Sequence, residues 1–560
     1  MQSLKGPVAR VLPAAWITIL ILPSLAWILI DERVWPWDPG YYGDWTLRAA
    51  DLLARGMLHE WYDFNMHALQ LMPPLIVWLG QFFVPLRHVT GDVESALMLL
   101  NICTGAATLA LIYRLARNLG AGLLASLAAT TVCGGADLFI GLMHHYFTEP
   151  LQSFAAALSM LVALHVERRS GLRNLALVLL LIDVAFLAKA SSLTFIAPAL
   201  AYMAVALFAT RGDARARATR IDKVLLAVGV VGLILTFIWY NTNWTVMAKH
   251  FVQATTGEEV QNYYPTTLSF AVKLKYWIGT LADAVFLSRW GLAALCLMIV
   301  AAIAVAMAKL RARFSAGFAT LLRESVTTGA LYGLYLAGMV IAIIFSFALQ
   351  INEDPRYLAA VVPLIAGLVA WTLTVLRRPV LSALVILTGI ANAVMANAIA
   401  LHFFPSLYYI WLWPVDKSLT ERTALTRIID ATCQDGTQIN AIGVSYPWTN
   451  SNTANFFAQK QRLDTHFSCT YFSMPQDDVK TAFTWLDTTR IAYAVTVAPE
   501  QQDPPNFVNV SAKPIAEALA ADARFELMPS SSHRFKIYRR LPEPSSAPES
   551  DESHTNEGRP

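Results

Sequence analysis

The sequence predicts a polytopic α-helical membrane protein with a smaller α/β domain outside the membrane, and three observations carry that prediction. Hydrophobic residues make up 56% of the 560 positions and charged residues only 14%, with a mean hydropathy of +0.47, which is too apolar for a soluble globule. About eleven apolar runs reach the ~20 residues that a spanning helix requires. Short basic clusters recur in alternate loops between those runs, an asymmetry that marks the cytoplasmic face. The formal net charge of +3 is small, so nucleic-acid binding is a poor explanation for a pI of about 8.5.

In chain order the runs centre near Ile19, Leu100, Ala125, Leu158, Leu181, Pro198, Val231, Ala301, Ala337, Leu364 and Thr388. Lys5 and Arg10 precede the first run. The clusters Arg114/Arg117, Arg168/Arg169/Arg173, Arg211/Arg215/Arg217/Arg220/Lys223, Lys309/Arg311/Arg313 and Arg377/Arg378 fill the alternate loops. The first run follows a basic stretch, as a signal peptide does, but no small-residue cleavage site follows Leu29, so it is expected to stay as a helix. An odd number of spans from a cytoplasmic N-terminus leaves everything after Leu401 on the outer face, with a bacterial inner membrane as the expected location.

This reading divides the chain into a membrane domain, 1–413, with structured outer loops at 31–85 and 241–289, an extracytoplasmic α/β domain at 414–541, and a tail at 542–560. The outer domain alternates in period: "RTALTRIIDATC" and "NTANFFAQKQ" are helical, whereas "INAIGVSY", "IAYAVTVA" and "FELMPSSSHRFKIYRR" are strand-like. The tail is rich in Pro, Ser and Glu without apolar periodicity, the composition of a disordered segment. Cys103, Cys133 and Cys296 lie inside apolar runs, where a cysteine acts as a small buried hydrophobe. Cys433 and Cys469 share the outer domain; an oxidising compartment permits a bond between them, but spacing cannot supply the distance.

The stretch "RVWPWDPGYYGDWTLRAADLLARG", residues 33–56, mixes acids with aromatics just beyond the first run. Aromatics collect at membrane interfaces and charges in exposed loops, so an interfacial edge explains it. The loop's length argues for more, because most connections span a few residues and long ones tend to carry function. Apolar-periodic pieces such as "LRAADLLARG" and "PPLIVWLGQFFVPL" predict a structured outer loop lying along the membrane, which could cover a site for a lipid-borne substrate.

From here a succession of motifs resembles a known family. Asp38 to Tyr42 forms an acid-x-x-Tyr-Tyr motif after the first span, followed by Tyr62-Asp63 and Pro73-Pro74-Leu75 with Trp78-Leu79. "YRLARNLG" comes next, then Glu149-Pro150-Leu151 at the outer end of the fourth span, "FLAKASSLTFIAPAL" around Lys189, and "PRYLAAVVPLIAGL" around Arg356. Over residues 30–370 this order resembles the GT-C glycosyltransferases of the protein-O-mannosyltransferase and aminoarabinose-transferase type. The resemblance implies transfer of a sugar from a polyprenyl-phosphate donor to a glycan, lipid or protein acceptor on the extracytoplasmic face. It implies membrane lipids as surroundings and no cofactor beyond that co-substrate, with a divalent metal left open.

Such a transfer needs a carboxylate for the acceptor's proton and cations or backbone donors for the departing phosphate. Asp38 is the first choice for the base because it occupies the family's first-loop acid position. Asp44 is the rival, since the family often has a second acid where this chain has Pro39. Glu149 corresponds to a further acid that the family more often supplies as Asp. Lys189, flanked by apolar residues, reads either as a snorkelling lysine or as a phosphate partner in a watery cavity. Arg356 suits a phosphate because its planar guanidinium binds two oxygens at once, although Glu353 or Asp354 can pair with it. Tyr41, Tyr42 and His145 complete the substrate-binding candidates; His144 and His145 lack convergent ligands that would argue for a metal, and capping a membrane helix is their simpler role. Asp183 is read as a packing or ion-pair residue.

Two other classes compete. A secondary transporter places ionisable groups near mid-bilayer beside broken helices, often with repeat symmetry, whereas here the acids cluster outside. A membrane scaffold accounts for the C-terminal domain but does not require a long acidic first loop. Convergence of Asp38, Glu149, Lys189 and Arg356 on one outward-facing cavity separates the transferase from both.

Overall fold

A computed structural model describes residues 8–165, 171–209, 219–255, 257, 268–286, 288–311, 318–403, 414–433, 437–465, 468–497 and 509–542. The basic residues Arg168, Arg169, Arg211, Arg215, Arg217 and Arg313, and the tail from 543 onward, lie outside them. The chain groups into two compact units, one of residues 1–33 with 42–418 and one of residues 34–41 with 419–560.

The first unit is helical. Its elements are α1 (Val8–Ile30), α2 (Trp37–Ala54, which begins in the second grouping), α3 (Leu58–Met66), α4 (Leu75–Gly80), α5 (Arg87–Thr90), α6 (Val93–Asn118), α7 (Leu123–Gly134), α8 (Asp137–Met143), α9 (Glu149–His165) and α10 (Gly171–Ala188). They continue as α11 (Leu193–Ala209), α12 (Arg220–Thr255), α13 (Phe270–Phe286), α14 (Arg289–Arg311), α15 (Phe318–Thr327), α16 (Ala330–Ala348), α17 (Val361–Leu376) and α18 (Pro379–Ala400).

Every expected span centre falls in one of these helices. Among the described residues, nine helices are long and apolar enough to cross a bilayer. The run around Ala125 is instead a pair, α7 and α8, bent by 61°. The run around Leu158 is the 17-residue α9. The bend falls at Ala136, whose backbone is extended (φ −72°, ψ 129°); the preceding Gly135 admits the close approach of α7 to α18, since a Cβ there would lie 2.5 Å from the Gly389 carbonyl oxygen. Burial orders the helices around this contact. The span Pro355–Leu376 is 89% buried and Arg289–Arg311 only 11%, so α17 is the centre of the bundle and α14 lies at its periphery.

Helix α12 runs unbroken to Thr255, through the first part of the structured outer loop expected at 241–289. Pro363 lies in the first turn of α17, where its missing N–H has no intrahelical partner to lose. Of the three cysteines expected to be buried, only Cys133 is; Cys103 and Cys296 are exposed on their helices.

The second unit is α/β: α19 (Thr420–Thr432), β1 (Thr437–Ile442), α20 (Ser451–Thr465), β2 (Ser468–Ser473), α21 (Val479–Thr488), β3 (Tyr493–Val497), α22 (Ala512–Ala521), β4 (Phe525–Leu527) and β5 (Phe535–Arg540). The five-stranded sheet has the order β2-β1-β3-β5-β4, with β2 and β3 parallel to β1 and the β5 pairs antiparallel. Leu486, Ile491, Ala494, Ile515 and Leu519 form its core. A disulfide joins Cys433, at the end of α19, to Cys469 on β2, with a Cα–Cα distance of 5.7 Å.

Residues 34–41 belong to this unit. Trp35 stacks on Phe456 with ring centroids 4.7 Å apart, and its carbonyl oxygen accepts a 2.9 Å hydrogen bond from Thr453 Oγ1. Trp37 Nε1 donates to Ser445 Oγ at 3.1 Å. These tryptophans, which an interfacial edge would also explain, are packing and hydrogen-bonding residues of the α/β unit.

Candidate functional site

The first unit builds its site on the opening turn of α9. Glu149, the first residue of that helix, is 2% exposed. Lys189 Nζ lies 2.6 Å from Glu149 Oε1, and Arg356 Nε lies 3.7 Å from the same oxygen. Thr148 Oγ1 donates to Glu149 Oε2 at 3.3 Å. A buried carboxylate survives only when paired, and here two cations from distant parts of the chain pair it.

Local backbone breaks deliver both cations. Helix α10 stops at Ala188 because Lys189 adopts extended backbone, with φ −164° and ψ 134°, and caps a short 3₁₀ turn, Ala190–Ser192, before α11. Arg356 rides on a second 3₁₀ turn, Pro355–Ala360, where the Asp354 side chain accepts from the Arg356 N–H at 3.0 Å. Asp354 Oδ2 also lies 2.7 Å from Arg356 Nε. Burial pushes the Asp354 carboxyl above its usual range, with the Arg356 charge pulling the other way.

An aromatic wall surrounds the cations. Lys189 Nζ sits 4.5 Å from the centroid of Tyr357, and the Arg356 guanidinium 5.3 Å from that of Phe147. Asn352 Nδ2 donates to the Tyr357 hydroxyl at 3.0 Å. From α13, Lys273 Nζ donates to the Gln350 carbonyl at 2.8 Å and the Tyr276 hydroxyl to the Glu353 carbonyl at 2.7 Å, which fixes the loop that carries Arg356.

His145 adjoins this wall: its ring centroid is 5.2 Å from that of Phe147. Burial, followed by the charges of Arg33, His144 and Arg356, holds its imidazole well below the ordinary value, so it is neutral near pH 7. His144 is stacked 4.3 Å from Trp27 and lies 3.1 Å from Ser24 Oγ. Among the described residues no three His, Cys, Asp or Glu side chains form a metal-holding group.

The remaining candidates are placed as follows. Asp44 is buried in α2 and bonded to Arg48 Nε at 2.9 Å, one helical turn on; burial pushes its carboxyl up while Arg48 opposes the rise. Tyr42, 2% exposed, donates its hydroxyl to Met72 Sδ at 2.8 Å. Asp38 occupies the first turn of α2, half-buried like Tyr41, and both fall in the second unit. The structure therefore brings together Glu149, Lys189 and Arg356, with His145 beside them. Sequence reasoning did not single out Phe147, Tyr357, Gln152 or Ser191; each lies within three residues of a candidate, and that proximity was the signal available. A separate cavity of about 390 Å³, lined by Val132, Leu295, Val369, Leu384 and Asn392 among others, carries none of these charged groups.

Residues 72–240 match the family described as dolichyl-phosphate-mannose-protein mannosyltransferase. Two solved structures are similar over nearly the whole chain. The crystal structure of ArnT from Cupriavidus metallidurans bound to undecaprenyl phosphate is 14% identical, covers 96% of this chain and 99% of its own, and has a TM-score of 0.53. The apo ArnT structure from the same organism is 12% identical, covers 95% and 98%, and has a TM-score of 0.51. No curated protein sequence matches the chain. The chain has the fold of these ArnT structures, and it is a multi-pass membrane protein.

Proposed function

From that fold as premise, we propose that the protein is an integral membrane glycosyltransferase that moves a sugar from a polyprenyl-phosphate donor to an acceptor on the extracytoplasmic face. The observation that carries this reading is the convergence of Lys189 and Arg356, 2.6 and 3.7 Å from one oxygen of the buried Glu149. Two cations beside an aromatic wall suit a phosphate joined to an apolar chain. A transporter is disfavoured because these groups lie at the ends of the apolar segments rather than near their middles, Lys189 between Gly171–Ala188 and Ala190–Ala209 and Arg356 in the first turn of Pro355–Leu376.

In the proposed step the acceptor hydroxyl attacks the anomeric carbon. The new carbon–oxygen bond forms as the bond to phosphate breaks, and its electron pair leaves on the polyprenyl phosphate. Lys189 and Arg356 stabilise the charge that develops there. By its place in the first-loop motif Asp38 is the proposed base, with Asp44, already bonded to Arg48, the weaker claimant. Tyr41, Tyr42 and the neutral His145 are the proposed substrate-binding residues. The basic-loop pattern supports a cytoplasmic N-terminus and an extracytoplasmic α/β unit.

The test is transfer of label from a lipid-linked sugar pool to surface glycans, lipids or proteins in a deletion strain and its complement, with and without chelator. Identical glycan profiles in the two strains would refute the reading. Chelator sensitivity would add a divalent ion to the reaction.

A further inference from the structure

Below Glu149, helix α9 makes a second hydrogen bond to each of the two turns that carry the cations. One turn along from Glu149, Gln152 Nε2 donates to Ser191 Oγ at 3.0 Å, on the 3₁₀ turn capped by Lys189. The neighbouring Ser153 Oγ donates to the Ala359 carbonyl at 2.9 Å, on the 3₁₀ turn that carries Arg356. Each cation is thus held to α9 by two parallel rungs, an ion pair above and a neutral hydrogen bond below. Gln152 and Ser153 are 3% and 1% exposed, and the Ser153 bond is fully buried, so water competes little for these bonds.

This arrangement has a reason in the backbone. A 3₁₀ turn has poorer internal hydrogen bonding than an α-helix and few residues to hold it, so its orientation depends on what it is tied to. An ion pair alone is a loose guide, because Coulomb attraction varies slowly with angle and distance. When a phosphate takes up the charges of Lys189 and Arg356, their hold on Glu149 weakens at the moment when their positions matter most. The lower rungs do not change with charge, so they keep the cation-bearing turns in place throughout the cycle.

We propose that Gln152 and Ser153 are positioning residues, which set the spacing of Lys189 and Arg356 for one phosphate group. This inference rests on the lipid-phosphate reading of the site. A cation moved out of hydrogen-bonding range of the phosphate loses one charge-assisted bond, so Gln152→Leu and Ser153→Ala are expected to weaken phosphate-dependent binding by about 10- to 100-fold. Ser153→Thr, which keeps the hydroxyl, is expected to restore it, and Ser191→Ala to copy Gln152→Leu without adding to it.

The probe is farnesyl phosphate, with farnesol as the uncharged control, titrated against the full-length protein in detergent. The expected result is a wild-type preference for the phosphate that collapses in Gln152→Leu and Ser153→Ala and returns in Ser153→Thr. A purely structural role would lower the melting temperature and leave the phosphate-to-alcohol ratio unchanged; that outcome overturns the proposal. Wild-type protein that does not prefer farnesyl phosphate overturns the lipid-phosphate reading itself, and the proposal with it. Should Gln152→Leu fail to fold, Ser191→Ala and the two Ser153 variants decide the matter.

Discussion

Lys189→Gln removes an ammonium 2.6 Å from a carboxylate that is 2% exposed and leaves Arg356, at 3.7 Å, as the compensating charge beside it. At an effective dielectric constant of about 20, Coulomb attraction at those two separations is about 6 and about 4 kcal/mol before desolvation is set against it. Removing one partner of a buried pair costs about 3 to 5 kcal/mol, so Lys189→Gln is expected to be less stable as well as less active. The double variant Lys189→Gln/Glu149→Gln separates these effects, because it removes the orphaned carboxylate and should regain melting temperature without regaining activity. On the donor, a lost charge-assisted hydrogen bond of about 1.5 to 3 kcal/mol corresponds to a fall of about 10- to 150-fold in kcat/KM. Arg356→Gln is expected to fall in the same range. If both cations hold one phosphate, their combined variant should fall short of the product of the two losses, with a coupling of about 0.5 to 3 kcal/mol. The assay is transfer by purified variants from lipid-linked sugar, with donor concentration varied. Additive losses, or losses confined to kcat with an unchanged donor KM, would refute the shared-phosphate arrangement.

Asp38→Asn should reduce turnover by about 100- to 10,000-fold while preserving folding, whereas Asp44→Asn, which removes the partner of Arg48, should lower melting temperature more than turnover; the reverse pattern in the transfer assay would move the base to Asp44. Replacing Cys433 and Cys469 by Ser opens a loop with a sequence separation of 36, which in the chain-entropy model costs about 4 kcal/mol; a melting transition that ignores both the substitutions and reductant would contradict this. Asp31, whose Oδ1 accepts from the Asp416 N–H at 2.8 Å, is pushed by burial from 3.8 to about 6. Between those values the folded state binds more protons than the unfolded state, so this group's stabilisation is complete below about pH 4 and lost as pH rises through 6, by about 3 kcal/mol in all. Melting temperature measured from pH 4 to 7 should decline less steeply in Asp31→Asn than in wild type, and equal slopes would rule the contribution out.

The spans, and several strands of the α/β unit, were legible because their signals are local. Apolar length and period survive whatever the rest of the chain does, so all eleven expected centres fell in helices and "INAIGVSY" overlapped β1. Short elements without strong alternation, β2, α21 and α22, carried too little local signal and were missed. Glu149, Lys189 and Arg356 stood out singly, because a charge beside apolar residues is costly and needs a reason. That they are one another's reason was not legible: Lys189 and Glu149 are 40 positions apart, and the Ser153–Ala359 rung that helps place Arg356 spans 206. Composition also misled where two environments favour the same residues, since Trp35 and Trp37 suit a membrane edge as well as the α/β unit, where Trp35 is buried against Phe456 and the exposed Trp37 is hydrogen-bonded to Ser445. The two outer cysteines show the same division. Their shared compartment could be read from the order of segments, but the 5.7 Å between their Cα atoms exists only once α19 and β2 have packed, because no spacing along the chain encodes a distance across it.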